Sequence, residues 1–260
     1  MDIGTSHGPA RAELALPSGS SASGAPSFLL VLTHGAGGSV NAPDLLAVRD
    51  AALRAGGATA LVTQPYRIRG ARAPGSPARQ DEAWREIIAF LRGRPWSGPW
   101  SGPWSVPEEV PDGVPLSPGT PLIVGGRSNG ARVACRTAAA VGARGVIALA
   151  FPLRPPGRRA VAGSAGTADP PARAAELRAA AGIAGSSSPP ARAAELRAAA
   201  DGGARVLVVN GDRDPFGIPD PEDAIWVVVP KGESHALSRN PAAVAEAVTG
   251  WLREVVPLAR

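Results

Sequence analysis

The sequence predicts an α/β domain with a mostly parallel central sheet and helices on both faces. Two observations carry the prediction. Short apolar runs of strand length recur along the chain, and they lack the polar alternation of a half-exposed strand. Between them lie glycine turns and segments with helical apolar spacing, so strand and helix alternate. Phe28 to Leu32 is the first such run and ends in a glycine-rich turn. Pro43 to Ala55 has helical spacing through Leu45, Leu46, Val48, Ala52 and Leu53, with proline at the start and Gly56-Gly57 as the stop. Ala58 to Thr63 is the second strand. Gln80 to Leu91 is an amphipathic helix with Trp84, Ile87, Ile88 and Leu91 on one side. Leu122 to Val124 is a strand, Asn129 to Val141 a helix and Val146 to Ala150 a strand. Val206 to Val209 and Ile225 to Val229 are two further strands, and Ala242 to Val256 is the closing helix.

The chain has 260 residues, 44% of them hydrophobic, which suits one large domain with a sizeable core. The domain is expected over 27–260. Residues 1–26 read as a flexible segment with at most an edge strand from Glu13 to Leu16, because Ser18 to Pro26 has linker composition. No apolar run reaches membrane-spanning length. The first residues carry neither a basic nor an apolar leader region, so cytoplasmic residence is the expectation. Cys135 is the single cysteine and excludes an intrachain disulfide framework or a cysteine metal cluster. The formal charge is +5, and Lys231 is the only lysine among 27 basic residues. The arginines are scattered rather than gathered in a stripe, so nucleic-acid binding is not expected.

Two repeat-bearing insertions, near 93–119 and 158–204, interrupt the alternation. Trp96-Ser97-Gly98-Pro99 recurs from Trp100 and begins again at Trp104, and reads as a duplication in a tolerant loop rather than a partner-binding segment. Pro170 to Ala181 returns unchanged at Pro189 to Ala200, a shift of 19 residues. Each copy opens on Pro-Pro and continues with strong helix formers. Two copies are too few for a solenoid, so one native helix plus one added helix or arm is expected.

The chemistry centres on Leu122-Ile123-Val124-Gly125-Gly126-Arg127-Ser128-Asn129-Gly130. Gly126-x-Ser128-x-Gly130 falls between a strand and a helix, where a sharp turn can raise a serine hydroxyl above a sheet. In a chain with 32 glycines the pentapeptide alone says little, and Gly4-Thr5-Ser6-His7-Gly8 also matches it. That second match has no strand before it and no helix after it. Ala131-Arg132 stands where a phosphate-binding loop needs lysine and a hydroxyl residue, and no dinucleotide fingerprint follows a strand. A serine hydroxyl needs a base to take its proton. Val206 to Val209 leads into Asp212 and Asp214, and His235 follows the last strand. Asp214 is the chosen acid because it lies past the turn, with Asp212 as the alternative. His235 is the chosen base among three histidines, with His34 assigned to bracing the turn His34-Gly35-Ala36-Gly37-Gly38. Serine, acid, then histidine is the chain order this chemistry uses on such a sheet. The backbone N–H groups of Asn129 and Ala36 (Gly37 as second choice) are the candidate oxyanion donors.

Thr33 to Gly38, Gly125 to Arg132, Ala150 to Gly157 and Gly211 to Gly217 together resemble one branch of the α/β-hydrolases. The branch comprises dienelactone-hydrolase-like bacterial proteins, akin to the animal testis-expressed hydrolase-like proteins and to a histone-acetyltransferase-complex subunit. The resemblance covers about 28–258 and implies the α/β-hydrolase fold with a Ser-Asp-His site. Members of the branch usually carry methionine where Asn129 stands and often histidine where Arg154 stands. The dienelactone hydrolases proper use a cysteine nucleophile, and this chain has Ser128.

The expected function is hydrolysis of an ester or thioester of a small or soluble substrate (a carboxylic ester hydrolase), with no metal and no organic cofactor. Residues 152–204 are the only candidate cover, and their Pro, Gly and Ala content suggests a loose one. The expected partner is a small acyl substrate, not nucleic acid or membrane, and association of identical chains stays open. The rival expectation is a non-catalytic scaffold that keeps the fold to bind a protein partner.

Overall fold

A computed structural model describes residues 1–17, 26–93, 119–155, 192–220 and 226–256. Among these residues eight strands form one sheet: β1 Asp2–Ile3, β2 Ala10–Ala15, β3 Leu29–Thr33, β4 Ala58–Thr63, β5 Leu122–Arg127, β6 Gly145–Leu149, β7 Arg205–Val209 and β8 Trp226–Val228. Among the described residues six helices accompany them: α1 Pro43–Arg54, α2 Pro65–Ile68, α3 Pro77–Leu91, α4 Asn129–Val141, α5 Ala193–Asp201 and α6 Pro241–Val255. The spatial order is β1-β2-β4-β3-β5-β6-β7-β8. β3 to β8 run parallel, and β1 and β2 join antiparallel at the β4 edge.

The apolar runs are continuous because both faces of the sheet are covered. Within β3, Leu29 and Val31 face α3, α4 and α5, while Leu30 and Leu32 face α1 and α6. β7 repeats the division, with Val206 and Val208 on the first side and Leu207 and Val209 on the second. That is the period-two alternation of a strand with both sets of side chains buried. Helix starts follow the chain chemistry. Ser76 caps α3 by accepting from the Arg79 N–H, Asn240 caps α6 by accepting from the Ala243 N–H, and each is followed by proline.

The N-terminus departs from the sequence expectation. Residues 1–17 are held by the sheet, and the edge strand is Ala10–Ala15 rather than Glu13 to Leu16. Arg11 to Ala15 pairs with Thr59 to Thr63, so β4 supplies the template that weak local propensity does not. His7 is therefore not in a loose tail: its Nε2 lies 2.7 Å from Glu82 Oε2 on α3. The Gly4-to-Gly8 match is the β1–β2 turn, closed by the Gly8 N–H donating to the Thr5 carbonyl at 3.0 Å.

The expected cover over the site is also corrected for the part that is described. α5 lies within 152–204 but packs on the core, with Ala193, Leu196 and Ala199 fully buried against the α4 side of the sheet. Its i, i+3 apolar spacing fits one buried stripe. Glu195 on α5 receives Arg132 in a bidentate pair, Nε at 2.9 Å and Nη2 at 2.6 Å. Arg136 forks onto Asp81 of α3 and also reaches Glu195. Paired forks of this kind fix orientation as well as contact. The first copy of the repeat, the tryptophan repeat and Ile225 lie outside the described residues.

Candidate active site

The parallel strands deliver the site residues to one end of the sheet, beyond the carboxyl ends of β3, β5, β7 and β8. Ser128 sits between β5 and α4 with φ 52° and ψ −110°, a backbone conformation that costs a non-glycine residue on the order of 1–3 kcal/mol. Its amide donates to the Leu149 carbonyl at 2.8 Å, which holds the turn against β6. The flanking glycines are set by contact. A Cβ on Gly126 would lie 2.6 Å from the Thr33 carbonyl oxygen, and one on Gly130 would lie 2.7 Å from the Thr33 and His34 carbonyl oxygens. Neither space admits a side chain, so β3 can pass close behind the serine.

The structure brings Ser128, His235 and Asp214 together. His235 Nε2 lies 3.0 Å from Ser128 Oγ, and His235 Nδ1 lies 2.8 Å from Asp214 Oδ2. The neutral imidazole that fits both contacts carries its proton on Nδ1, donates to the carboxylate and accepts the serine hydroxyl at Nε2. The Asp214 carboxylate is wholly buried, and its other oxygen accepts from the Phe216 amide at 2.9 Å. Phe216 meets the His235 ring edge-on, with centroids 4.5 Å apart, and fixes its plane. Asp212 is exposed and its side chain stands away from this chain of contacts. The loop bearing His235 is tied down beside Asp214: the Arg213 amide donates to the Glu233 carbonyl at 2.9 Å, and Glu233 Oε1 accepts the Asn240 amide.

The turn after β3 passes directly beside Ser128, since a Cβ on Gly35 would lie 3.3 Å from the Ser128 Cβ. Ala36 is the next residue and is exposed. Asn129 is the first residue of α4, where helix geometry leaves the N–H without an intrahelical acceptor. His34 is buried and held at both nitrogens. Nε2 accepts the Gln64 amide at 3.1 Å, which leaves Nδ1 to donate to the Gly35 carbonyl at 2.9 Å. Burial pushes its pKa down, in keeping with a neutral bracing ring. Arg154 lies farther along: its amide donates to the Phe216 carbonyl and its carbonyl accepts Arg192.

Two residues that sequence reasoning did not single out stand behind the site. Arg127, the residue before the serine, donates from Nη2 to the His235 carbonyl at 2.9 Å. Its Nε lies 3.1 Å from Oδ2 of Asp44, a fully buried carboxyl in the first turn of α1. The contact is ionic rather than a well-aimed hydrogen bond, since neither Arg127 Nε nor the two carboxyl oxygens find a geometric hydrogen-bond partner. Burial raises the Asp44 pKa to about 6, against the opposing pull of Arg127 and of the Leu45 and Asp44 amides. An aspartate in a first helical turn carries no sequence signal for such a role, since it fits the helix dipole anyway.

Cys135 is buried in α4, and burial pushes its thiol pKa well up, so it offers no second nucleophile. Among the described residues no three His, Cys, Asp or Glu side chains gather as metal ligands, and no helix is long and apolar enough to cross a membrane.

The family model for the alpha/beta hydrolase domain matches residues 26–163, more than half of the chain. The chain belongs to the α/β-hydrolase family. Solved structures agree in fold over nearly full length. XC6422 from Xanthomonas campestris, described as an α/β serine hydrolase without a lid, shares 17% identity with a TM-score of 0.62, covering 100% of this chain and 95% of that one. Est1E from Butyrivibrio proteoclasticus, solved with ferulic acid, shares 15% identity with a TM-score of 0.64, covering 98% and 99%. A dienelactone hydrolase from Anabaena variabilis shares 15% identity with a TM-score of 0.61, covering 98% and 96%. At these identities the likeness is one of fold. No curated protein matches the sequence.

Proposed function

We propose that this α/β-hydrolase is a serine hydrolase that cleaves an ester or thioester of a small or soluble substrate, within the carboxylic ester hydrolase class. The observation that carries the reading is the continuous contact from a strained Ser128 through His235 to buried Asp214. Ser128 Oγ attacks the acyl carbon as its proton passes to His235 Nε2. Asp214 orients the ring and stabilises its cation. The Asn129 and Ala36 amides receive the developing oxyanion. The tetrahedral species collapses, the alcohol or thiol leaves with the proton from Nε2, and an acyl-serine remains. Water then attacks the acyl-serine, gives its proton to Nε2, and the acid departs as Ser128 regains a proton.

A small or soluble substrate fits a chain similar to XC6422, a hydrolase described as lacking a lid, and α5 is engaged in the core rather than in a cover. Within the family, the motifs at Thr33, Gly125, Ala150 and Gly211 support the branch of testis-expressed and acetyltransferase-complex hydrolase-like proteins. We place the N-terminal strands and the residues from 27 onward in one domain, with the repeats as insertions, and take the cytoplasm as its compartment. A fluorophosphonate probe tests the reading. The purified protein should label, and Ser128→Ala should lose labelling and 4-nitrophenyl acetate turnover with its melt nearly unchanged. Equal turnover by both proteins would refute the role of Ser128. A properly folded wild type that never labels would favour the protein-binding scaffold.

A further inference from the structure

Arg127 and Ser128 are consecutive, so the strand that delivers the serine also carries the guanidinium behind the site. Strand alternation aims it. Ile123 of β5 faces α1 and α6, and Arg127, four residues on, takes the same face. There it spans two elements. Nη2 donates to the His235 carbonyl at 2.9 Å, and Nε lies 3.1 Å from Asp44 Oδ2 on α1. One planar fork can meet both because its N–H groups point in fixed, divergent directions.

The loop bearing His235 needs such a hold. Before His235, Glu233 is fixed by the Arg213 amide and by its own side chain on the Asn240 amide. After it, Leu237 is buried on the α1 and α6 side of the sheet with φ 46°, the left-handed region that favours glycine. Between these anchors the main chain bonds locally, with the Ala236 amide on Ser234 Oγ and the Leu237 amide on the Ser234 carbonyl. Among the described residues, the Arg127 contact is the only hydrogen bond from another element to the main chain of 234–236. Asp214 and Phe216 hold the imidazole, and Arg127 holds the main chain from which it projects. With both held, Nε2 stays 3.0 Å from Ser128 Oγ.

Charge fits the same role. A bare guanidinium beside the base would oppose the imidazolium that forms when Ser128 gives up its proton. Asp44 supplies the counter-charge, fully buried and close enough for its carboxylate to feel the His235 cation.

We infer that Arg127 is a positioning residue: it ties the main chain at His235 to the strand end that carries Ser128, and so sets the distance across which the proton passes. It acts through His235 and takes no part in the proton transfer itself. The inference rests on the serine-hydrolase reading above.

The competing role is plain neutralisation of buried Asp44, and the test separates the two. Arg127→Met alone would strand the Asp44 carboxylate and destabilise the fold, so it is made in an Asp44→Asn background, where no buried charge is left behind. The melt of the double variant should match that of Asp44→Asn. With 4-nitrophenyl acetate its kcat should be lower by about a hundredfold, the scale for a misplacement of about 1 Å, with KM within about twofold. Fluorophosphonate labelling of Ser128 should slow by the same factor, because it uses the same base. Equal kcat and equal labelling in the two proteins would overturn the positioning role and leave neutralisation as the whole of it. If the double variant does not fold, Arg127→Lys decides, since lysine keeps a cation beside Asp44 but has no fork to hold two partners. A kcat about tenfold lower at unchanged KM supports the role, and an unchanged kcat overturns it. Wild-type protein that folds but neither labels nor cleaves the ester overturns the parent reading instead.

Discussion

Asp44→Asn isolates the electrostatics behind the site. The wild-type carboxyl is fully buried and titrates near 6, against 3.8 when free in water. A group whose folded pKa is raised contributes stability that is complete below its unfolded value and is lost as pH climbs through the folded one. For Asp44 that window runs from about pH 4 to 6. The whole shift is worth about 3 kcal/mol, and the part between pH 4.5 and 7.5 about 2 kcal/mol. Asparagine keeps the shape and cannot ionise, so it removes this dependence together with the weaker charge coupling to His235. Urea unfolding followed by tryptophan fluorescence, at pH 4.5 and 7.5 on both proteins, reads the difference. The stability of Asp44→Asn relative to wild type should rise by about 2 kcal/mol between the two pH values. All other carboxylates cancel in that comparison. A gap that stays constant, or moves the other way, would show that Arg127 holds Asp44 ionised throughout and that attraction outweighs burial at this pair.

The two aspartates after β7 should separate cleanly. Asp214→Asn should slow ester hydrolysis by about 10⁴, the scale for losing a triad carboxylate, while exposed Asp212→Asn should stay within a few-fold; rates in the reverse order would reassign the acid. Leu196→Ala, at a fully buried position on α5, should cost about 2–5 kcal/mol in urea unfolding. Deleting Pro170 to Ser188 should leave the melt and Ser128 labelling intact, because the copy that forms α5 is retained; an insoluble deletion protein would mean that both copies belong to the core.

The parallel part of the sheet was legible because the strands from β3 to β7 are buried on both faces and so read as unbroken apolar runs. Ser128 was legible for a related reason: the strand and helix on either side of it are strong, and the glycines between them are forced by carbonyl oxygens of β3 and the turn after it. What escaped was whatever depends on a neighbour distant in sequence. Ala10 to Ala15 alternates small and charged residues with little β propensity and becomes a strand through pairing with β4. His7 then arrives at α3 as a consequence, and a cavity beside Gln80 exists only because that turn is docked. Asp44 is equally silent, since its contact with Arg127 of β5 joins residues far apart in sequence.

The duplicated segment shows where local reading stops in principle. Residues 170–181 and 189–200 are identical, so propensity, apolar stripe and the glutamate that meets Arg132 and Arg136 are the same in both. No side-chain argument can rank them, and connectivity must. With the second copy seated, Gly202, Gly203 and Ala204 join α5 to β7, with Gly203 at φ 89° making the turn. Seating the first copy instead would place 19 further residues between helix and strand. Longer closure costs only a fraction of a kcal/mol per doubling, but a short turn also keeps the amide hydrogen bonds that end the helix. The Gly202, Gly203 and Ala204 amides donate to Ala198, Ala200 and Ala199 within 3.1 Å. The first copy lacks that ending, for Gly182-Ile183-Ala184-Gly185 stands where Asp201-Gly202-Gly203-Ala204 does and puts alanine at the position of the positive φ. The helix stop and the short link to β7 therefore favour the second copy, although the helical residues themselves are the same.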